Sequence, residues 1–201
     1  LRFDLAKGAK AGNLLHDILE HVNFSEPNWS LAFTAPLMRF GHLENGYQED
    51  DLAAWLNDVV NTELKAGSGT NFCLAELNPS QTLREAEFYF PLDNANTKQL
   101  TTLLSAHRKR VIKQLADTEL ETALLNSNSQ VFLPNISTLQ GMMHGFIDLI
   151  FEHQGKYYLC DYKSNHLGNS VNDYTADKLT QSIQSHHYDL QYLIYSVALQ
   201  R

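Results

Sequence analysis

Cysteine is nearly absent from this chain of 201 residues, which contains only Cys73 and Cys160. Two thiols cannot form a four-thiolate metal site, and they do not indicate the disulfide scaffold of a small secreted domain. Long apolar runs are absent as well, because none approaches the roughly 20 residues of a membrane-spanning helix, and no signal-peptide pattern opens the chain. We therefore expect a soluble globular protein in a reducing, cytoplasmic compartment.

Positive charge is also scarce. The chain has 15 Lys and Arg residues against 23 Asp and Glu residues, which gives a formal net charge of -8. This balance argues against a general nucleic-acid-binding surface, but not against an enzyme that meets DNA at one local site through a cation. The one basic cluster, "HRKRVIK" over 107–113, is predicted to be a solvated helix face, with a phosphate contact as the alternative.

The two ends of the sequence indicate a piece of a larger protein. No methionine opens the chain, and "YSVALQR" ends it in the middle of a helical pattern. A length of 201 residues suits one sizeable domain better than two. We expect a single domain over 1–201 that is mainly helical over 1–70, strand-rich over 71–165 and helical again over 174–201.

Hydrophobic periodicity predicts helices separated by a few strands. The helix that begins near Glu49 carries its apolar face through Leu64 and is predicted to stop at Gly67. Much of 117–138 is predicted to be loop. Helices are predicted over 9–23, 29–39, 48–66, 96–115 and 174–201 (with a break near His186), and strands over 84–90 (ended by Pro91), 141–151 and 156–163. This order indicates an α/β sandwich around a mixed sheet.

The stretch "GFIDLIFEHQGKYYLCDYKSN", 145–165, is predicted to form a β-hairpin that carries charged groups. A two-residue turn at Gln154 and Gly155 uses the positive φ that glycine readily adopts. In that register Asp148 lies directly opposite Asp161, and Lys163 shares their face of the sheet because it is two residues from Asp161.

Two opposed carboxylates repel each other unless a cation lies between them. Carboxylate oxygens favour Mg²⁺ or Mn²⁺, and a lysine beside the cation can stabilise charge on a phosphoryl oxygen. Asp148, Asp161 and Lys163 therefore predict a phosphodiester hydrolase. Two alternatives stay open: an ion-pair network in which Lys163 only neutralises an aspartate, and a retaining glycosidase, whose carboxylates lie about 5 Å apart.

An ordered set of short motifs resembles one enzyme family. The set is "GNLLH", "EAEFYF", "GFID", "DYK" and "QYLIY". It is similar to the G-x-x-D…D-x-K pattern of the PD-(D/E)xK nucleases, and within them to the C-terminal nuclease domain of the RecB family. The resemblance implies a restriction-endonuclease-like α/β core, in which helices flank a mixed β-sheet, with an N-terminal helical portion. It also implies that this chain is C-terminally truncated, because the family domain continues beyond "QYLIY".

The resemblance assigns metal ligands and a catalytic lysine. His16, Asp148 and Asp161 match the family's metal-binding residues, and the backbone carbonyl of Tyr162 completes the set. Lys163 matches the catalytic lysine, and the two aspartates share the catalytic role.

Three further residues match positions near the family's active site. Gln191 and Tyr195 match a helix that touches substrate phosphate. Glu87 in "EAEFYF" matches an acid near the site. All three are expected on the substrate side.

The resemblance also implies an activity and its setting. It implies a Mg²⁺-dependent deoxyribonuclease of the exodeoxyribonuclease V type, with Mn²⁺ or Ca²⁺ as substitutes, that acts on single DNA strands from unwound duplex ends. The implied partners are RecC-like and RecD-like subunits and a RecA-type recombinase, in bacterial double-strand break repair by recombination and with no membrane. ATP belongs to the absent motor portion. The alternative is a catalytically silent nuclease-fold module that docks subunits or a recombinase.

Overall fold

The computed structural model describes Phe3, Leu5 and residues 7–41, 48–65, 71–115, 131 and 133–201. The chain divides into two compact units. The first comprises Leu1–Ala86 and Ile147–Asn169, and the second comprises Glu87–Phe146 and Ser170–Arg201. In the described part of the chain, no helix is both long enough and apolar enough to cross a membrane.

Three helices of the first unit were predicted from their apolar stripes. They are α1 (Ala9–His21), α2 (Trp29–Phe40) and α3 (Glu49–Val60). Their apolar faces bury Ile18, Phe33 and Leu52 to 1% exposure or less in one hydrophobic core. The predictions for α1 and α2 are confirmed to within two residues at each end.

The third helix ends earlier than predicted. Asn61 follows its last residue and donates a side-chain hydrogen bond to the Asn57 carbonyl at 2.8 Å, and the Thr62 hydroxyl donates to the Asp58 carbonyl at 2.7 Å. These side chains satisfy carbonyls that the last turn leaves open, so the helix stops here. Leu64 therefore lies in a short strand rather than on the helix. The predicted stop at Gly67 lies outside the described residues.

Five strands form two sheets in the described residues. Strand β1 (Leu64–Lys65) pairs antiparallel with β2 (Asn71–Phe72), and β3 (Thr82–Ala95), β4 (Leu139–His153) and β5 (Lys156–Cys160) form a sheet in that order. Two 3-10 turns, Leu74–Glu76 and Pro79–Gln81, lead into β3.

The prediction that Pro91 ends β3 is wrong. The strand continues through it to Ala95. Because β3 is an outer strand of the sheet as described, the backbone donor that proline lacks is not required for pairing on both sides.

The β4–β5 hairpin has the predicted turn and register. His153 pairs with Lys156, and the ladder continues to Leu149 opposite Cys160. Gln154 and Gly155 have φ values of 52° and 74°, so both central residues are left-handed, as a tight turn between twisted strands requires. The ladder ends one pair before Asp148 and Asp161, so β5 is shorter than the predicted strand over 156–163.

Among the described residues, the second unit contains three helices and a 3-10 turn. They are α4 (Thr97–Leu115), the 3-10 turn Val171–Asp173, α5 (Ala176–Ser185) and α6 (Tyr188–Leu199). The predicted break near His186 is confirmed, and His187 between α5 and α6 has a φ of 55°. Most of the predicted loop over 117–138 lies outside the described residues. The α/β class is confirmed.

The basic cluster on α4 is not uniformly solvated. Lys109 and Arg110 are exposed, but Arg108 is buried and forms an ion pair with the buried Asp189 of α6. The Arg108 guanidinium also donates to the Gln184 carbonyl at 3.1 Å. The predicted solvated face is therefore wrong for Arg108, because a long-range acid and a carbonyl compensate its charge.

Candidate active site

Asp148 lies on β4 between Ile147 and Leu149, whose side chains are buried. One carboxylate oxygen of Asp148 accepts the backbone N–H of Tyr162 at 2.7 Å. Burial raises the pKa of Asp148, as does the nearby charge of Asp161, while the bond from Tyr162 opposes the shift. The carboxylate is therefore held in an environment that disfavours its own charge.

His16 reaches Asp148 from α1. Its Nδ1 atom lies 3.4 Å from the Asp148 carboxylate, and its ring meets the ring of Tyr162 edge-on at 5.8 Å between centroids. Because Leu15 and Ile18 on either side of it along α1 are buried, His16 is kept at the edge of the apolar stripe, half exposed. The structure thus brings together the histidine and first aspartate predicted as metal ligands.

Asp161 and Lys163 follow β5 and contact each other. The Lys163 ammonium forms an ion pair with Asp161, and both side chains are partly exposed. Each also interacts electrostatically with Asp148, Asp161 raising and Lys163 lowering its pKa. Asp148, Asp161 and Lys163 therefore form one charge cluster, as the hairpin register predicted. The Asp161–Lys163 ion pair is also the contact that the alternative hypothesis, an ion-pair network, predicts.

Glu85 belongs to the same cluster, and the sequence analysis did not identify it. Ligand atoms of His16, Glu85 and Asp148 all lie within 4.8 Å of one another. Burial raises the pKa of Glu85, followed by the charge of Asp148. The signal in the sequence was the first acid of "EAEFYF", but simple strand alternation does not distinguish Glu85 from Glu87, because they are two residues apart.

Glu87 belongs to the second unit. It accepts a hydrogen bond from the Tyr89 hydroxyl, and its Oε1 lies 3.0 Å from Nε2 of His144. The bond from Tyr89, followed by that from His144, holds the pKa of Glu87 below its usual value. This carboxylate therefore has local partners on the sheet, and its role at a nuclease site stays a prediction.

Gln191 and Tyr195 lie one turn apart on α6, in the second unit. The Gln191 amide donates to the Tyr195 hydroxyl at 2.5 Å, and the Tyr195 ring meets Phe88 edge-on at 5.8 Å. Tyr195 is buried and Gln191 is half-buried. Their contact with each other follows from the i,i+4 spacing. A contact of either with phosphate stays a prediction.

The donor set suits a hard divalent cation. An imidazole nitrogen and carboxylate oxygens are ligands that Mg²⁺ and Mn²⁺ accept, and no thiolate contributes among the three grouped residues. The carboxylates near Asp148 also repel one another. A cation bound between them would attract each of them and so offset that repulsion.

Comparison with known proteins places these observations in a family. The pattern of the PD-(D/E)XK nuclease superfamily matches residues 1–201. The RecBCD enzyme subunit RecB of Escherichia coli (strain K12) is 31% identical over 198 residues, which cover 97% of this chain and 15% of that protein.

Two further relatives are also RecB subunits of a RecBCD enzyme. RecB of Haemophilus influenzae (strain ATCC 51907 / DSM 11121 / KW20 / Rd) is 34% identical over 98% of this chain, and RecB of Mycobacterium tuberculosis (strain CDC 1551 / Oshkosh) is 27% identical over 98%. This chain spans only 14% and 19% of the lengths of these two relatives.

Proposed function

Because this chain belongs to the PD-(D/E)XK nuclease superfamily, we propose that it is the nuclease domain of a RecBCD-type helicase–nuclease and hydrolyses DNA phosphodiester bonds with Mg²⁺. The observation that carries the proposal is the buried Asp148 carboxylate, which faces His16 at 3.4 Å and shares its surroundings with Asp161 and Lys163. The match over residues 1–201 and the similarity to RecB subunits support it. We propose that residues 1–201 act as one nuclease domain.

His16, Asp148, Asp161 and the backbone carbonyl of Tyr162 would hold the Mg²⁺, with Mn²⁺ or Ca²⁺ as substitutes. The Lewis-acid chemistry of the reaction, which polarises a phosphoryl oxygen and lowers the pKa of a nearby water, comes from this cation when it is bound. The His16 ring is oriented for this role by its edge-on contact with Tyr162. The bond from the Tyr162 N–H fixes the orientation of the Asp148 carboxylate.

Lys163 supplies a positive charge beside the scissile phosphate. Its ammonium stabilises the negative charge that grows on the phosphoryl oxygens as water attacks phosphorus and the bond to the leaving sugar oxygen breaks. Asp161 holds that ammonium through their ion pair. Gln191, Tyr195 and Glu87 are proposed on the substrate side, the first two as phosphate contacts from α6.

The proposed setting follows from the relatives. We place the activity in the bacterial cytoplasm, on single strands that an ATP-driven motor portion unwinds from duplex ends. RecC-like and RecD-like subunits and a RecA-type recombinase are the proposed partners. The proposed role is end processing in double-strand break repair by recombination. The net charge of -8 predicts weak non-specific binding of DNA by this chain itself.

The test is cleavage of end-labelled linear single-stranded DNA by the purified chain, with and without Mg²⁺. Asp161→Ala and Lys163→Ala are expected to abolish cleavage, whereas Asp50→Asn, a change of an exposed acid in the first turn of α3, keeps it. Equal cleavage by wild type and Asp161→Ala would refute the hydrolase. Absence of cleavage by the wild type with every divalent cation tried would favour the silent docking module.

A further inference from the structure

We propose that Tyr89, His144 and Phe146, on strands β3 and β4, form a surface on which bases of single-stranded DNA stack. We call these three residues the aromatic platform. The inference rests on the proposed function, which brings a single strand to this chain, and it assigns a base-binding subsite to residues outside the metal centre. All three residues belong to the second unit.

The three rings of the aromatic platform pack against one another. The rings of Tyr89 and His144 are parallel to within 5°, with 4.4 Å between their centroids. The ring of Phe146 meets that of His144 edge-on, with 5.3 Å between the centroids. Aromatic rings attract one another in both of these arrangements, so each ring restricts the next. The result is one aromatic cluster that spans two strands.

The aromatic platform is exposed, although large aromatic rings are usually covered. Tyr89 is 59% exposed and Phe146 is 45% exposed, whereas Phe90, which follows Tyr89 along β3, is buried. Because successive side chains of a strand point to opposite faces, β3 carries packed aromatic residues on one face and open ones on the other. A cluster of exposed aromatic rings on a soluble domain marks a binding surface.

Hydrogen bonds hold two of the rings in place. The Tyr89 hydroxyl donates to the Glu87 carboxylate, whose Oε1 lies 3.0 Å from Nε2 of His144. One carboxylate thus joins the polar edges of the two stacked rings and fixes their orientation. Rings that are already oriented lose little conformational entropy when a flat ligand stacks on them. The polar edges have partners, so the apolar ring faces are the surface offered to a ligand.

The charges on these strands favour bases over phosphates as the ligand. Within β3 and β4, Arg84 is the only Lys or Arg residue. Its guanidinium donates to the carbonyls of Leu19 and Glu20 on α1. The Glu87 carboxylate beside the rings repels phosphate groups. A surface of ring faces without a Lys or Arg from its own strands suits the uncharged bases, and every base has a face that stacks on an aromatic ring.

Strand β4 links the aromatic platform to the proposed substrate. Phe146 comes two residues before Asp148 in this strand. Asp148 is a proposed ligand of the cation that acts on the scissile phosphate, so the DNA that is cut comes to the strand that carries two of the three rings. The net charge of -8 gives little electrostatic attraction for DNA. Base stacking supplies affinity that does not depend on that charge.

The test is binding of end-labelled oligothymidylate of about 12 nucleotides to the purified chain, measured by fluorescence anisotropy at low ionic strength in EDTA. An abasic oligomer of the same length has the same phosphates without bases. The wild type is expected to bind oligothymidylate more tightly than the abasic oligomer. Tyr89→Ala and Phe146→Ala are each expected to weaken binding of oligothymidylate by about fivefold or more, and to leave binding of the abasic oligomer unchanged.

Two controls separate stacking from other effects. Tyr89→Phe keeps the ring and loses the hydroxyl, so it is expected to bind oligothymidylate as the wild type does. Tyr157→Ala removes an exposed tyrosine of β5 outside the aromatic platform and is expected to leave binding unchanged. The fluorescent adenine analogue aminopurine, placed in the oligomer, should be quenched by the wild type and less by Tyr89→Ala. Thermal unfolding verifies that the alanine variants fold, and if one does not, the other decides.

Three results would overturn the inference. They are equal affinity of the wild type for oligothymidylate and the abasic oligomer, no binding of either oligomer, and wild-type affinity in the alanine variants. The other occupant of this face would be a second copy of the chain. Sedimentation velocity that shows wild-type dimers and Tyr89→Ala monomers would assign the face to that copy and overturn the inference as well.

Cleavage with Mg²⁺ separates the aromatic platform from the proposed function. If the wild type cleaves single-stranded DNA while both alanine variants bind oligothymidylate normally, the aromatic platform is wrong and the nuclease stands. If the wild type cleaves with no divalent cation while the alanine variants lose affinity for oligothymidylate, the nuclease is wrong and the aromatic platform stands as a base-binding surface.

Discussion

The carboxylate of Asp148 accepts the backbone N–H of Tyr162 at 2.7 Å, immediately after the β4–β5 ladder ends. Beyond the end of the ladder, the Asp148 side chain thus accepts a backbone N–H, as the strand carbonyls do within the ladder. The same carboxylate oxygen lies 3.4 Å from His16. The segment that follows β5 therefore orients the buried acid, and α1 brings His16 to it.

Asp148→Asn is expected to raise the Tm of the metal-free protein at neutral pH. The folded pKa of Asp148 is raised by burial first and then by Asp161, so the folded state binds its proton more tightly than the unfolded chain does. Its stabilising contribution is fully present below the unfolded pKa of about 3.9 and is lost as the pH rises through the folded pKa. Thermal unfolding in EDTA from about pH 4 to about pH 8 measures this. A difference in Tm that does not grow with pH would contradict the expectation.

Tyr162→Phe is expected to leave stability unchanged or to raise the free energy of unfolding by about 1 kcal/mol. Among the described residues, the buried Tyr162 hydroxyl has no hydrogen-bond partner, and such a group costs about 1–3 kcal/mol. Because the backbone carbonyl is retained, Mn²⁺ affinity should not change. Urea unfolding measures the first quantity and calorimetry the second. Tyr157→Phe, at a position 72% exposed, is the control and should have little effect.

Gly12→Ala is expected to reveal a close approach between α1 and the segment after Lys163. A Cβ atom at Gly12 would lie 3.0 Å from the Ser164 hydroxyl oxygen. Alanine normally stabilises a helix interior by about 1 kcal/mol relative to glycine. That gain should appear in a Ser164→Ala background and be absent in the wild type. A double-mutant cycle by urea unfolding measures the coupling, and additive effects would rule out the contact.

Arg108→Met is expected to destabilise the protein by about 3–5 kcal/mol, because it leaves the Asp189 carboxylate buried without its cation. The Arg108 guanidinium donates to Asp189 at 3.0 Å, and both side chains are buried. The double variant Arg108→Met with Asp189→Leu should recover most of the loss. Lys109→Met, one residue along α4 and exposed, should change stability little. A double variant no more stable than Arg108→Met would show that the charge is not the cause.

Cys160 is expected to react slowly with iodoacetamide at neutral pH. Burial, followed by the charges of Asp148 and Asp161, raises its pKa to about 11. At pH 8 its thiolate population is then on the order of 100-fold below that of an unperturbed cysteine. Labelling in a Cys73→Ser background measures the rate, which should keep rising toward pH 11, and guanidinium-unfolded protein is the control. A rate that levels off near pH 8.5 would contradict the raised pKa.

The sequence alone determined the hairpin that carries the two aspartates. The turn at Gln154 and Gly155 and the apolar runs on both sides of it are local signals, and in an antiparallel pair a turn length determines the register. The motifs identified the superfamily for the same reason: the spacing of "GFID" and "DYK" is visible along the chain.

Only the tertiary structure decided which other groups meet the hairpin. The passage of β3 through Pro91 depends on the position of that strand in its sheet, and the burial of Arg108 depends on a partner distant in sequence. The choice between Glu85 and Glu87 is of the same kind. Glu85 has a φ of 45° within β3, and the Arg84 guanidinium donates to the carbonyls of Leu19 and Glu20 on α1, the helix that carries His16. Strand periodicity contains neither of these facts, because the first is the backbone conformation of a single residue and the second is a contact between distant segments.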